Sequence, residues 1–507
     1  MRAITLAAFS VSGLLFATSA LAWHHQTTHV SLNLKAYDAF QGLYGGSAKY
    51  ERAPLDATLL CTGPAVTTPG KEWIFESDER LSVLVWLSMG GYFADEPEWW
   101  ASFRHFYDPL ARDGQTYLTD DLPGVANPHV DARTLALVDQ PDPWHDGSEH
   151  VQYNWSAALG YYREAMEDGD NDDGENRKLA KAFRGLGQVL HLLADMTQPA
   201  HVRNDEHAYD DPLEDTIRVD QVAASWASPL DPRALIDGDI STLFDNLARY
   251  TNEYYYSSDT VSDTASGVFP DNGKTPCLKP QFSDLKYDAA THAYSGRFND
   301  TDVPMIQQRL TTYLIQRGNF RKVEQWGAWH MPAAYAAWLA NVLVPVAVRA
   351  EALLIDRFLP TLDAQLKLTA KDASTAHVEG ALIHDIAKDP EWKAPIKFNG
   401  KGTLRGRKDD TPILEVFFQD GTMTPADFPS EPGEVVYLEI RAGGRIFTSK
   451  DQTFGEVELG PECKILEACC PGLPTPAVIQ QCEDIVATAN ETNCAVGQAS
   501  LLRLCRE

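Results

Sequence analysis

Apolar residues recur at three- and four-residue spacing through residues 81–87 (LSVLVWL), 179–196 and 335–359, the period that lines them along one stripe of an α-helix. The same rhythm, interrupted by loops rich in Gly, Pro and Asp, runs from residue 23 to about 360 and predicts a mainly α-helical domain. One loop, 168–174 (DGDNDDG), is acidic enough to suggest calcium. Asp173, however, stands where an EF-hand loop needs its glycine, and no carboxylate follows at the closing spacing, so the loop reads as a solvated connection between two helices. Past residue 375 the character changes. Segments 413–418 (ILEVFF), 434–440 (EVVYLEI) and 445–448 (RIFT), set between Gly, Pro and Asp turns, predict strands of a small β domain, read as a sandwich over 375–458. The expected fold class is multidomain: a helical domain over 23–360, the β domain, and a Cys-rich tail over 459–507.

The two ends of the chain refine this. Residues 1–22 carry Arg2, an apolar run over 3–16 and Ala-Leu-Ala at 20–22, the pattern of a secretory signal peptide whose removal leaves Trp23 first. Beyond it no unbroken apolar run approaches the roughly 20 residues of a bilayer-crossing helix, so a secreted or periplasmic protein is expected. Eight cysteines suit an oxidising compartment. Cys463, Cys469, Cys470, Cys482, Cys494 and Cys505 crowd the tail and read as structural staples of open pairing, leaving Cys61 and Cys277 as a candidate long-range pair. A net charge of −29 argues against a broadly basic nucleic-acid surface, although bound divalent cations would invert the sign at one site.

The candidate chemistry begins in residues 191–207, HLLADMTQPAHVRNDEH. His191 and Asp195 are four apart and share one helix face, so they can share an ion. Pro199 removes a backbone donor and bends or ends the helix, which can bring His201 back towards them. His207 and Glu214 follow in a loop. Imidazole nitrogen with carboxylate oxygen is a donor set that suits zinc; the alternative is a helix end whose polar residues are caps and solvated charges. Asp95 and His105 flank a second, aromatic segment. The third piece is the mature N-terminus, WHHQTTH, where Trp23 offers an α-amino group of pKa about 7.7–8.0 and His29 an imidazole.

A Trp at the mature N-terminus with a His soon after, Asp95 and His105 in a D-x-P … HFYDP setting, and His-x3-Asp-x5-His at 191–201 resemble the trinuclear zinc hydrolases: bacterial zinc-dependent phospholipases C and fungal-type single-strand-specific nucleases. Residues 247–260 (LARYTNEYYYSSDT) also resemble a run in the bacterial phospholipase-like members. The resemblance covers about 23–360. It implies three zinc ions. His105, His191 and Asp95 would hold one, Asp195 would bridge it to a second held by the Trp23 amino and carbonyl groups with His29, and His201, His207 and Glu214 would hold the third. The family spaces its last His and acid four apart, whereas His207 and Glu214 stand seven apart. His24 and His25 read as surface residues. The implied reaction is in-line attack on phosphorus by a hydroxide generated between two zinc ions, with Asp95 orienting or deprotonating the water and Asp195 as bridge.

The expected substrate is a phospholipid, with peripheral membrane contact and with nucleic acid only as an alternative substrate. The acidic charge and the absence of a Trp-Gly start support that order. Trp99, Trp100, Phe103, Phe106 and Tyr107 either line a lipid or choline pocket or belong to the core. A secreted zinc-binding or adhesion protein without activity is the reading from another class.

Overall fold

The computed structural model describes residues 28–44, 59–61, 80–94, 99–111, 114–119, 129–139, 153–167, 172–205, 213, 235, 238–257, 283–298, 301–317, 319–372, 374–455, 461–473, 476–487 and 491–501. The helical body contains α1 (Thr28–Tyr44), a ribbon of β1 (Leu59–Cys61) with β2 (Arg80–Ser82), and α2 (Val83–Phe93). It continues with α3 (Ala132–Leu137), α4 (Trp155–Glu167), α5 (Asp172–Asp195) and α6 (Ile240–Tyr254). The acidic connection between α4 and α5 is shorter than its sequence suggests, because α5 already starts at Asp172.

Helix α5 is the central element, packed against α1, α2 and α4. Leu179, Phe183, Leu186, Val189, Leu190 and Leu193 on it are all buried, the stripe predicted by their spacing. Where α5 crosses α2, each helix presents a glycine. A Cβ on Gly187 would lie 2.0 Å from the Leu87 carbonyl oxygen, and one on Gly90 would lie 2.1 Å from that of Arg184. Only residues without a side chain permit backbones this close. Asn33 of α1 then ties all three helices, donating from Nδ2 to the carbonyls of Leu87 at 2.8 Å and Gly187 at 3.3 Å.

Residues 283–330 depart from the helical expectation. They form an antiparallel four-stranded sheet in the order β3 (Ser283–Asp288), β4 (Ala293–Phe298), β5 (Thr301–Arg317), β6 (Asn319–His330). The long β5–β6 hairpin closes tightly, Arg317 pairing with Asn319. Thr, Val, Ile, Tyr, Phe and Trp recur through 301–330, composition that favours strands, and apolar spacing read elsewhere as helical has no hold here.

Helix α7 (Ala333–Phe358) follows and packs against α1 and α5. It corrects a second expectation, for by length and composition it could cross a membrane. Asn341, Pro345, Arg349 and Glu351 interrupt its apolar run, which hid it from a search for unbroken stretches. Its most apolar window is 78% buried inside the protein, as a core helix is. Phe358 near its end meets Trp155, Tyr162 and Phe183 edge-on with centroids 5.5–5.9 Å apart.

The β domain begins directly after α7, at Leu362, ahead of the expected boundary at 375. Strand β7 (Leu362–Asp372) forms a hairpin with β8 (Thr375–His384). The other strands are β9 (Gly400–Gly406), β10 (Pro412–Gln419), β11 (Thr422–Met423), β12 (Ala426–Pro429), β13 (Val435–Ala442), β14 (Arg445–Thr448) and β15 (Gln452–Thr453). Instead of two separate sheets they make one nine-stranded antiparallel sheet, β12-β8-β11-β10-β9-β13-β14, with β7 on β8 and β15 on β13. It curls until β7 lies against β13, β14 and β15, so its inner face still encloses Val378, Leu404, Val416, Leu438 and Ile440. That core is continuous with the helical one. Tyr162 Oη donates to the Gly443 carbonyl and Arg163 to that of Ala394, fastening α4 to the sheet.

The tail has its own small core. Helices α8 (Pro461–Cys469), α9 (Pro476–Ala487) and α10 (Glu491–Leu501) enclose Leu466, Leu473, Cys482 and Cys494. Cys470 and Cys482 are bridged to each other; Cys469 and Cys494 are each in a disulfide as well, with partners outside this pair. Cys61 lies in β1, whereas Cys277 is outside the described residues.

Candidate metal centre

Asp195 is the last residue of α5, and the chain cannot continue as helix because Pro199 follows. The exit is tightened by i→i+3 bonds: Met196 N–H to Leu193, Thr197 N–H to Ala194 and Gln198 N–H to Asp195. This turn delivers His201 beside the segment that follows the short 3₁₀ turn Trp99–Arg104. The two segments clasp each other. Tyr107 N–H donates to the His201 carbonyl at 3.0 Å, and His201 Nδ1–H donates to the His105 carbonyl at 2.9 Å.

Four imidazoles surround the Asp195 carboxylate. Oδ1 lies 3.4 Å from His29 Nε2; Oδ2 lies 3.1 Å from His105 Nδ1 and 3.5 Å from His191 Nε2. His201 is the farthest, its Nδ1 at 3.9 Å. That nitrogen is engaged with the His105 carbonyl, which leaves Nε2 as its ligating atom. His191 Nδ1–H is likewise held, by the Gly91 carbonyl at 2.7 Å, so its Nε2 faces the carboxylate. The Gly91 carbonyl is available there because α2 and α5 cross so closely one residue away. The His29 and His191 rings stack with centroids 3.4 Å apart, and His105 meets His191 edge-on at 4.8 Å. Phe106 stacks on His201 at 4.5 Å.

His29, His191 and Asp195 each present one ligand atom, all within 4.8 Å of one another, and all three are buried. Burying a carboxylate among imidazoles is costly unless a cation or a full set of hydrogen bonds compensates, and this nitrogen and oxygen donor set suits a divalent metal such as zinc. The residues present therefore fit a metal ion. His105, whose Nδ1 is the imidazole nitrogen nearest the Asp195 carboxylate, and His201 are buried beside this group. Trp23, Asp95, His207 and Glu214 lie outside the described residues, as do His24 and His25.

Three further features have partners that the sequence alone did not assign. Asn252 of α6 joins both histidine segments, donating to Asp108 Oδ1 at 2.9 Å and to the Val202 carbonyl, while Arg203 donates to its carbonyl and amide oxygens at 2.5 and 3.2 Å. Asn252 and Arg203 are buried. Each stands among other polar residues in the sequence, Arg203 in HVRNDEH and Asn252 in ARYTNE, so nothing there marked the pair as buried partners. Tyr107 is held by Asp245 at 2.7 Å, and burial followed by that carboxylate's hydrogen bond pushes its phenol well above the usual range. Phe103, Phe106 and Tyr107 are buried core residues, the blander of their two readings; nothing is described for the Trp99 and Trp100 side chains. The third feature is Glu351 on α7, fully buried, whose carboxyl is held well above the ordinary carboxylate range by burial and then by the charge of Asp195.

No family model matches the chain, and no curated protein does. The solved structures similar to it include two clostridial alpha toxins. Alpha toxin from Clostridium absonum is 14% identical, with 74% of this chain and 85% of that one covered, at a TM-score of 0.24. Alpha-toxin from an avian strain of Clostridium perfringens is 11% identical, with 85% and 95% covered, at 0.25. Scores this low carry no inference about activity, which rests on the site alone.

Proposed function

We propose that the chain is a secreted, metal-dependent phosphodiester hydrolase of the phospholipase C type. The observation that carries the reading is the convergence of His29, His105, His191 and His201 on one buried carboxylate, Asp195. In the proposed assignment, His29, His191 and Asp195 hold the metal, with His105 and His201 extending the site towards further ions. A divalent metal supplies Lewis acidity and charge compensation for phosphoryl oxygens. Asp195 keeps the imidazoles in register through both of its oxygens. The carbonyls of Gly91 and His105 set the tautomers of His191 and His201, and Phe106 shields His201 from water. Trp23, Asp95, His207 and Glu214 remain assigned by resemblance: Trp23 as an N-terminal ligand, Asp95 as ligand and proton acceptor, the last two as third-site ligands. A disulfide-stapled tail suits the oxidising compartment of an exported protein.

Protein processed to begin at Trp23 tests this. Metal analysis should find zinc, expected at three ions per chain, and phosphatidylcholine should be turned over in a chelator-sensitive way while single-stranded DNA and a nucleoside 3′-phosphate are not. Turnover of the nucleic-acid substrates alone would assign the nuclease reading. Zinc without turnover would leave a binding protein, and absence of metal would end the proposal.

A further inference from the structure

Asn33 lies one helical turn beyond His29 on α1, on the same face, and both are buried. Its side-chain amide reaches carbonyls on two other helices, Leu87 of α2 at 2.8 Å and Gly187 of α5 at 3.3 Å. Carbonyl oxygens only accept, so the group that faces them is the NH2. Each of these carbonyls is itself one turn from a residue of the metal centre. In an α-helix the Leu87 carbonyl takes the N–H of Gly91, whose own carbonyl holds His191 Nδ1 at 2.7 Å, and the Gly187 carbonyl takes the N–H of His191. Gly91 in turn lies against α1: a Cβ on it would sit 2.6 Å from Asn33 Nδ2 and 3.4 Å from the His29 carbonyl oxygen. One amide therefore spans three helices, one turn away from the His29 and His191 rings, which stack with centroids 3.4 Å apart.

Stability alone does not account for this residue. Asn33 Oδ1 is buried with no hydrogen-bond partner among the described residues, and a buried acceptor left unsatisfied weakens the fold. What the NH2 contributes is geometric. The glycine crossing concerns α2 and α5 alone; a third helix laid on them must still be set along its axis and about it, and two hydrogen bonds from a short side chain set both. A slip of α1 by one turn, about 5.4 Å, would carry His29 Nε2 away from Asp195 Oδ1, from which it now lies 3.4 Å. We propose that Asn33 is the positioning residue that sets α1 in register with α2 and α5, and so brings His29 to the ligands that α5 supplies. The inference rests on the metal reading above and adds to it a residue that acts through the backbones of α2 and α5.

The test uses the full processed chain. Zinc affinity is read by competition with a chromophoric chelator, the visible spectrum of the cobalt-loaded protein reports ligand geometry, and thermal melts are run without metal. In Asn33→Ala the zinc affinity should fall about 10-fold, the lower end of what partners of metal ligands are worth, and the cobalt bands should shift. Tyr162→Phe is the structural control, because it removes a buried hydrogen bond of 3.1 Å to the Gly443 carbonyl, between α4 and the β sheet. It should lower the melting temperature and leave zinc affinity and the cobalt spectrum unchanged. If the alanine variant does not fold, Asn33→Ser, whose shorter side chain cannot span both carbonyls, should show the same fall and the same shift. Wild-type zinc affinity with a wild-type cobalt spectrum in the folded Asn33 variant overturns the proposal. So does an equal loss of affinity in Tyr162→Phe, which would make the effect one of general stability. A wild-type protein that binds neither metal ends the metal reading first, and this inference with it.

Discussion

At the scale of single residues, Gly187 shows how narrowly the site is set. A methyl group there would meet the Leu87 carbonyl oxygen at 2.0 Å and carbon at 2.9 Å, and backbone cannot rotate aside as a side chain would. Gly187→Ala should therefore destabilise the protein by about 1–3 kcal/mol, the usual cost of overpacking, and weaken zinc binding by moving the Gly91 carbonyl off His191. Gly160 of α4 is the control, since a Cβ there meets nothing within 4 Å. Gly160→Ala should be neutral or stabilising by up to about 1 kcal/mol. Denaturant melts of the two variants, with metal titrations, check both expectations; equal behaviour would mean the close crossing is not what holds α2 on α5.

Among the elements, α6 deserves a test because it carries Asn252, which joins the His105 and His201 segments. Its N-terminus is capped by Asp239, whose Oδ1 accepts from Thr242 N–H and Oγ1 at 2.9 Å each. The Thr242 backbone bond, then its hydroxyl, hold the Asp239 carboxyl below its usual 3.8. A carboxylate whose pKa falls on folding adds stability above its unfolded value, and that stability is lost as pH falls through the lowered folded value. Asp239→Ala should therefore cost about 1 kcal/mol near neutrality, with the difference from wild type shrinking in acid; melts at several pH values read it. A difference that persists unchanged at low pH would place the cap's contribution elsewhere. Elements also account for the largest departure from sequence reading, residues 283–330. Three- and four-residue apolar spacing on both sides carried the helical interpretation across a segment whose own β-branched and aromatic content favours strands.

For the whole molecule, the decisive division is between a body with one continuous core and a tail with its own. The helices and the curled sheet share buried side chains without a break, whereas Leu466, Leu473, Cys482 and Cys494 form a separate cluster. Opening the Cys470–Cys482 bridge by paired Ser substitution should cost the tail about 2–5 kcal/mol. The tail helices should then melt as a separate early transition, while zinc binding by the body persists. Calorimetry with a metal titration checks it, and simultaneous loss of zinc would show the two cores to be energetically one.

What the sequence determined by itself is what one element can encode. The i, i+4 pair His191 and Asp195, the buried stripe of α5, the strands at 413–418, 434–440 and 445–448, and the stapled tail all follow from periodicity or composition within a segment. His29, His105 and His201 were nameable as donors, but their arrival at one carboxylate depends on contacts between distant segments: the glycine crossing of α2 and α5, the Asn33 tie, and the clasp between Tyr107 and His201. Only the tertiary structure could decide those, because periodicity describes how side chains are arrayed around one axis and carries no information about where a second axis passes.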